Sequence, residues 1–282
     1  MLVTGGNRLV CGIPEEWKHF EEQHGLFFER FPHLESALET TFIRTTTLSE
    51  PIDQFVLQYG RLCVEDFFEI LLNCANGYGI AGQKLLRGLY ERAVTLAYLD
   101  KYPEELDAFI DFQKVQDYKV VRSIEDTIAK GTISENTVAD VKARRDEVMH
   151  NFMVTDCKVC GTERLNHSWS KMNFVAMSQK VESLGKLIVP GYYVPLKHAH
   201  ATFGAMSSRL EVTKEGTVSF VPTAQRKEAA GAFMVAHNIL LQVLGVEDER
   251  FKVEGLEEKL RVCMGDFLEI WRKKEKAPPS EG

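Results

Sequence analysis

The most specific motif in the chain is a pair of cysteines, Cys157 and Cys160, followed directly by Gly161. Two thiolates at this spacing can bind one metal ion from a single turn, and glycine permits the tight backbone that such a turn needs. One such turn supplies two of the four ligands that a structural zinc ion takes. The nearest further ligands are His150 and His167, with six residues between His150 and Cys157 and six between Cys160 and His167.

The four residues Cys157, Cys160, His150 and His167 predict a structural zinc site, because four protein ligands leave no open position for catalysis. The ion would tie down a segment that we predict to be an irregular insertion, residues 152–169. Two alternatives remain open. The cysteines could form a redox pair, although such pairs normally follow a strand and open a helix, or they could be two unrelated thiols.

A second motif is the pair Arg145 and His150, which have four residues between them. This spacing resembles the R-x4-H motif of the HEPN ribonucleases, a helical superfamily. A histidine can serve as general base or acid toward a ribose 2′-hydroxyl. An arginine can bind the phosphate with two parallel hydrogen bonds and stabilise its developing charge. The competing interpretation is an ordinary solvated helix face. A metal ligand cannot also shuttle a proton, so the zinc and ribonuclease interpretations compete for His150.

A third set begins with Arg87 and Glu91, on a helix predicted at residues 78–101. The two side chains are four residues apart and therefore lie on one helix face. They share that face with apolar residues, so we expect the pair to be partly buried. Such a pair is either a structural ion pair or part of a polar site.

His200 could meet this pair from a helix predicted at residues 192–210. His200 borders the apolar seam of that helix, whereas His198 lies about 200° away from it and faces outward. We therefore predict that His200, Arg87 and Glu91 form a buried polar cluster inside a helical bundle. The alternative role for His200 is that of a histidine at the edge of the core whose hydrogen bonds are satisfied.

The elements that would position these residues are mostly helices. Apolar residues at helical spacing, proline at helix starts and glycine at helix ends define the segments. Their predicted bounds are 14–23, 27–44, 51–76, 78–101, 103–131, 134–151, 170–185, 192–210, 222–244 and 254–274. Residues 211–221 alternate around Glu215-Gly216 and predict a small β-hairpin. We predict an all-α fold, a multi-helix bundle in one domain over residues 1–275, with a disordered tail at 276–282.

Composition limits the functions that the chain can have. The formal net charge is −7 with no block of five basic residues, which argues against tight non-specific binding to duplex DNA or other duplex nucleic acid. It remains compatible with an enzyme that handles RNA in a small local cleft. The six cysteines are spread out apart from one pair, so a disulfide framework is not expected. No apolar run of bilayer length and no signal-peptide pattern is evident, so we expect a cytoplasmic protein without membrane segments.

Three stretches carry a family resemblance: LLRGLYERAVTLAYLDKYPEELDAFIDFQ, then HSWS, then YYVPLKHAHATFG. Over roughly residues 50–210 they resemble a widespread prokaryotic family known as domain of unknown function 5677. Its members resemble HEPN-like and abortive-infection-like helical proteins. The residues that recur in the family, an Arg and Glu four apart and a late Tyr…His helix, fall on Arg87, Glu91, Tyr193 and His200.

The sequence departs from the family pattern at two points. It carries Lys197 where a small serine is usual, and it has no arginine shortly before His200. The resemblance implies a helical fold and a bacterial defence or toxin context.

Two functions follow from these observations. The first is a HEPN-like protein of a bacterial defence or stress system that acts on RNA or a nucleotide through Arg87, Glu91 and His200. The second is a non-enzymatic helical binding or scaffold protein, in which Arg87 and Glu91 are a structural pair and zinc staples the cysteine segment. In either case, the Phe-rich region 27–72 could form a homodimer.

Overall fold

Helices dominate the computed structural model, which describes residues 3–5, 8–10, 12–45, 47–127, 131–156, 160–212, 215–220 and 224–272. The all-α prediction is confirmed. The helices are α1 Pro14–Gln23, α2 Gly25–Phe42, α3 Pro51–Ala75, α4 Gly79–Lys101, α5 Leu106–Asp126, α6 Glu135–Val148, α7 Phe174–Gln179, α8 Glu182–Gly185, α9 Val194–Ala199, α10 Phe203–Ser207, α11 Arg226–Phe251 and α12 Leu256–Ile270. The described residues also form three two-stranded antiparallel hairpins: β1 Val3–Gly5 with β2 Arg8–Val10, β3 Met153–Thr155 with β4 Glu163–Leu165, and β5 Leu210–Val212 with β6 Val218–Phe220.

The contacts group the chain into two compact units. The first comprises residues 1–100 and 178–282, and the second comprises residues 101–177. The single domain predicted over residues 1–275 stays a prediction, and the tail predicted at 276–282 lies outside the described residues.

Helix α4 is buried on most sides within the first unit. Its fully buried side chains include Leu86, Leu89 and Tyr90. It approaches α3 and α11 closely where it lacks a side chain, because a Cβ on Gly82 would lie 2.5 Å from Cys74 Sγ and 3.5 Å from the Cβ of Ala232. The turn between α3 and α4 contains Gly77 with a φ of 80°, a backbone conformation that favours glycine.

Helix α11 packs against α3 and α12 in the same unit. By length and composition alone it could cross a membrane, because an 18-residue window of the helix has a mean hydropathy of 1.6. However, 61% of that window is buried inside the protein.

The second unit has its own small core between α5, α6 and the segment that follows α6. Phe112, Val115, Val148 and Phe152 are buried there, and Trp169 packs against them. The prediction of an irregular insertion at 152–169 is wrong in part, because β3 and β4 pair in register within it, with Met153 opposite Leu165. Strands of three residues are too short to show a period of two in the sequence.

The helix predicted at 192–210 is also wrong in part. A π-helical turn at Val189–Tyr193 runs into α9, which ends at Ala199, and a second short helix, α10, begins at Phe203. Between them His200 is extended, with φ −114° and ψ 160°, and the Thr202 side chain caps α10 by accepting a hydrogen bond from the Ala205 backbone. The hairpin predicted at 211–221 is confirmed as β5 and β6, with Leu210 opposite Phe220.

Candidate functional site

Arg87 and Glu91 meet on the exposed side of α4. Arg87 Nε donates to Glu91 Oε1 at 2.9 Å, as the spacing of four residues predicts. The Arg87 side chain is 19% exposed and the Glu91 side chain 41% exposed. The pair therefore lies at the protein surface with its arginine mostly covered, and the carboxylate remains in contact with water.

His200 reaches the same arginine from the break between α9 and α10. Arg87 Nη1 lies 2.7 Å from His200 Nε2. A guanidinium only donates hydrogen bonds, so Nε2 must be the acceptor nitrogen and the imidazole proton must be on Nδ1. The imidazole is consequently neutral in this arrangement, which is the form that can accept a proton from a substrate.

Tyr192 completes the contacts of Arg87. The guanidinium carbon lies 4.8 Å from the centre of the Tyr192 ring, a cation–π distance, and Arg87 Nη2 lies 3.5 Å from the tyrosine hydroxyl. The backbone beside Tyr192 is held against α4, because a Cβ on Gly191 would lie 2.6 Å from Cδ2 of Tyr90. We refer to Arg87, Glu91, Tyr192 and His200 as the Arg87 cluster.

The structure therefore brings His200 to Arg87, which also binds Glu91, but His200 is not buried as expected. His200 is exposed, while His198, which was predicted to face outward, is only 3% exposed. The cause is the end of α9 at Ala199, since the extended backbone at His200 removes the angular relation that a continuous helix would impose.

Tyr192 was missed by the sequence analysis, which selected its neighbour Tyr193. Tyr193 is 47% exposed and meets the Tyr192 ring edge to face, with ring centres 5.4 Å apart. Two adjacent tyrosines in a π-helical turn point in different directions, and helical periodicity cannot assign them when the turn itself is not predicted.

The Arg87 cluster has the groups that phosphate chemistry requires. Arginine presents several N–H donors in a planar fork that matches phosphate oxygens, and a neutral imidazole beside it can take up a proton. Glu91 and the Tyr192 ring limit the orientations that the guanidinium can adopt.

The comparison with protein families bears directly on this cluster. The family model described as a family of unknown function (DUF5677) matches residues 56–217, more than half of the chain. The chain belongs to this family. All four residues of the Arg87 cluster lie inside the part of the chain that the DUF5677 model matches. The family resemblance noted in the sequence is thereby confirmed, whereas the likeness to HEPN proteins stays a prediction. No curated protein and no solved structure is significantly similar to the chain.

The R-x4-H pair of the second unit is arranged differently. Arg145 stacks on Tyr118, with its guanidinium carbon 3.9 Å from the ring centre, and its Nε donates to Asp146 at 2.8 Å. His150 lies in a 3₁₀ turn at Met149–Phe152 and is exposed. Within the described ranges, no hydrogen bond or ring contact joins Arg145 to His150. Arg145 is therefore held by Tyr118 and Asp146 within the second unit, whereas His150 faces solvent.

The predicted zinc ligands cannot all be placed. Cys157 lies outside the described residues, while Cys160, His150 and His167 are exposed. Cys160 Sγ lies 2.9 Å from Thr162 Oγ1. Among the residues that the structure describes, no group of three or more His, Cys, Asp or Glu side chains is positioned to hold a metal ion. The zinc site stays a prediction.

Proposed function

We propose that this member of the DUF5677 family cleaves RNA at the Arg87 cluster. The observation that carries the proposal is the 2.7 Å contact between Arg87 Nη1 and His200 Nε2 at an exposed position. In this proposal the catalytic arginine and histidine come from different parts of the chain, and the R-x4-H pair Arg145 and His150 has no role in the reaction. The arginine that the sequence lacks shortly before His200 is supplied by α4.

The reaction begins when a phosphate oxygen of the RNA takes the hydrogen bond of Arg87 Nη1. That exchange frees the lone pair of His200 Nε2, which accepts the proton of the neighbouring ribose 2′-hydroxyl. The 2′-oxygen then forms a bond to phosphorus while the bond from phosphorus to the 5′-oxygen breaks. The 5′-oxygen takes a proton from water, and the hydroxide left behind takes the proton from the His200 imidazolium, which restores the neutral base. The products are a 2′,3′-cyclic phosphate and a 5′-hydroxyl, and the guanidinium stabilises the negative charge that develops on the phosphate oxygens.

Glu91 and Tyr192 are positioning residues in this proposal. Glu91 holds Nε of the guanidinium, and the Tyr192 ring covers its face, so the Nη1 edge remains directed at His200. A fixed donor needs no reorganisation during the reaction, which is the usual source of electrostatic stabilisation in enzymes.

The charge of the surrounding segment also suits an RNA ligand. Residues 183–210 contain Lys186, Lys197 and Arg209 but no aspartate or glutamate, although the chain as a whole carries a net charge of −7. A locally positive segment attracts a polyanion, while the negative remainder opposes extended binding to duplexes. This agrees with a small cleft that handles a single strand. We further propose that the activity belongs to a bacterial defence or stress system in the cytoplasm.

A non-enzymatic scaffold is the second candidate, and the bridging role of Arg87 favours it. The arginine connects α4 to Tyr192 and His200 by two side-chain hydrogen bonds and a cation–π contact, as structural networks often do. In that case the cluster would contribute to stability and have no role toward a ligand.

Cleavage of a fluorescent oligoribonucleotide by purified full-length protein separates the two candidates. We expect His200→Ala to slow cleavage by about 10²–10⁴-fold, the range for loss of a general base. His33→Ala is the matched control, since this histidine of α2 is also exposed and belongs to neither the Arg87 cluster nor the predicted zinc site, and it should cleave at the wild-type rate. Wild-type activity in His200→Ala, or no cleavage of any single-stranded RNA by the wild type, would contradict the proposal.

A further inference from the structure

A second basic site adjoins the Arg87 cluster in the same unit. It is a pocket of about 400 Å³, within the size range of small-ligand sites. Residues of α4, α9 and α10 and of the chain just before α11 line it. The lining residues that matter here are Tyr78, Ala81, Lys84, His198, Arg209 and Gln225.

The lining is positively charged. Lys84 and Arg209 are both among its residues, and none of the described residues that line it is an aspartate or a glutamate. Lys84 lies three residues before Arg87 on α4, so the two cations are neighbours on one helix face. The Arg209 guanidinium stacks over the Phe220 ring at 4.9 Å, which orients it without neutralising it. A pocket with two cations and no lining carboxylate is suited to an anion.

The N-terminus of α4 also contributes positive electrostatic potential to the pocket. Its first N–H groups have no partner within the helix, and a helix of 23 residues carries a partial positive charge at this end. One of these groups, the Ile80 N–H, lies 3.4 Å from the Gln225 side-chain oxygen, a long hydrogen bond. Tyr78 and Ala81 of this turn line the pocket, so the dipole favours an anion there.

His198 supplies the observation that points to a ligand. Its side chain is 3% exposed and lines the pocket, yet neither ring nitrogen has a hydrogen-bond partner among the described residues. Burial lowers the pKa of His198, and the nearby Lys197 and Lys84 lower it further, while Glu228 acts in the opposite direction. A buried imidazole without partners is costly, and an anion that accepts a hydrogen bond from the ring would remove that cost.

We propose that this pocket binds a terminal phosphate group through Lys84, Arg209 and His198. The ligand is a phosphate monoester, carried either by a nucleotide or by the 5′ end of an RNA strand. This site is distinct from the Arg87 cluster and needs no cleavage to be detected. Because Lys84 and Arg87 are neighbours on α4, a strand whose end is held in the pocket would continue toward the Arg87 cluster.

Calorimetric titration of the full chain with pyrophosphate, at constant ionic strength, tests the pocket. We expect Lys84→Met and Arg209→Met each to weaken binding by about tenfold or more, as for loss of a charged hydrogen bond. Lys186→Met is the matched control, because this exposed lysine belongs to the same acid-free segment but does not line the pocket. It should leave the affinity unchanged. His200→Ala should also bind pyrophosphate normally, which separates this site from the proposed cleavage.

The source of the phosphate follows from three further ligands: a nucleoside 5′-monophosphate and a tetraribonucleotide with or without a 5′-phosphate. Tighter binding of the phosphorylated tetranucleotide than of the monophosphate assigns the pocket to RNA ends, and equal binding assigns it to the phosphate group alone. Equal binding of the 5′-hydroxyl and 5′-phosphate tetranucleotides would overturn the proposal. So would an equal loss of affinity in Lys186→Met, or no binding of pyrophosphate by the wild type.

Discussion

Glu247 on α11 makes the stability of this protein depend on pH in a way that a single substitution should remove. Its side chain is 0% exposed, and neither carboxylate oxygen has a hydrogen-bond partner in the described part of the chain. It lies against Gly60 of α3, where a Cβ would collide with its carboxylate. Burial raises the pKa of Glu247 from 4.5 to about 8, with Asp100 acting in the same direction and Arg44 and Arg250 opposing it.

The direction of this pH dependence follows from the number of protons that Glu247 binds in the folded and unfolded states. Between pH 4.5 and 8 the folded protein keeps this carboxyl protonated, while the unfolded chain ionises it, so stability falls as the pH rises through that interval. At pH 7 the loss is about 3 kcal/mol, since each unit of pKa difference up to the ambient pH contributes about 1.4 kcal/mol. At pH 5 the same relation gives about 1 kcal/mol.

Glu247→Gln reproduces the shape of the protonated side chain and cannot ionise. Its free energy of unfolding, measured with urea, should exceed that of the wild type by about 3 kcal/mol at pH 7 and by about 1 kcal/mol at pH 5. Glu249→Gln is the control, because the same change at an exposed position should leave the pH dependence as in the wild type. A constant difference between Glu247→Gln and wild type at both pH values would refute the reasoning, as would a destabilised variant at pH 7.

Three further outcomes are expected. Glu91→Ala should lower the free energy of unfolding by at most about 1 kcal/mol, because its side chain is 41% exposed; a urea-measured loss of several kcal/mol would favour the scaffold candidate. Gly88→Ala should stabilise α4 by about 0.5–1 kcal/mol, since its Cβ would meet open space, whereas Gly82→Ala should lower the melting temperature by pressing on Cys74; melts that reverse this order would contradict the packing of α4. Elemental mass spectrometry should find zinc bound to the wild type and lost in His150→Ala; zinc-free wild-type protein would end the zinc prediction.

The long helices were predictable because each buries an apolar face that repeats over several turns. Helices α3 and α4 agree with their predicted bounds of 51–76 and 78–101 to within a residue or two at each end, which is the usual uncertainty of helix ends. Proline and glycine mark both ends of these helices, so the local signals and the periodicity agree.

The segment from Val189 to Ser207 was not predictable in the same way. Its periodicity suggested one helix, but the structure has a π-helical turn and two short helices around an extended His200. One local signal was available: Thr202 precedes Phe203 in the position where threonine caps a helix, and its side chain does cap α10. Recognition of that cap would have ended the first helix before Thr202 and removed Phe203 and Met206 from the apolar seam against which His198 was placed outside.

Three members of the Arg87 cluster, Arg87, Glu91 and His200, were predictable, but Tyr192 and the environment of the cluster were not. The spacing of Arg87 and Glu91 fixes their shared face, and that face has to meet another part of the chain because its apolar neighbours are buried. The exposure of His200 depends on where α9 ends, and the contact with Tyr192 depends on a turn that periodicity does not detect. Both are tertiary features of a short segment.

The most direct test of the central claim is the chemical nature of the RNA ends that the wild-type protein produces. An oligoribonucleotide and a matched one with a single 2′-deoxyribose at the main cleavage position would be digested, and the products resolved by mass spectrometry. Attack by the 2′-hydroxyl, with His200 as its base, predicts a 2′,3′-cyclic phosphate and a 5′-hydroxyl from the first substrate and no cleavage at the deoxyribose of the second. A 5′-phosphate product, or unchanged cleavage at the deoxyribose, would contradict the assignment of the reaction to the Arg87 cluster.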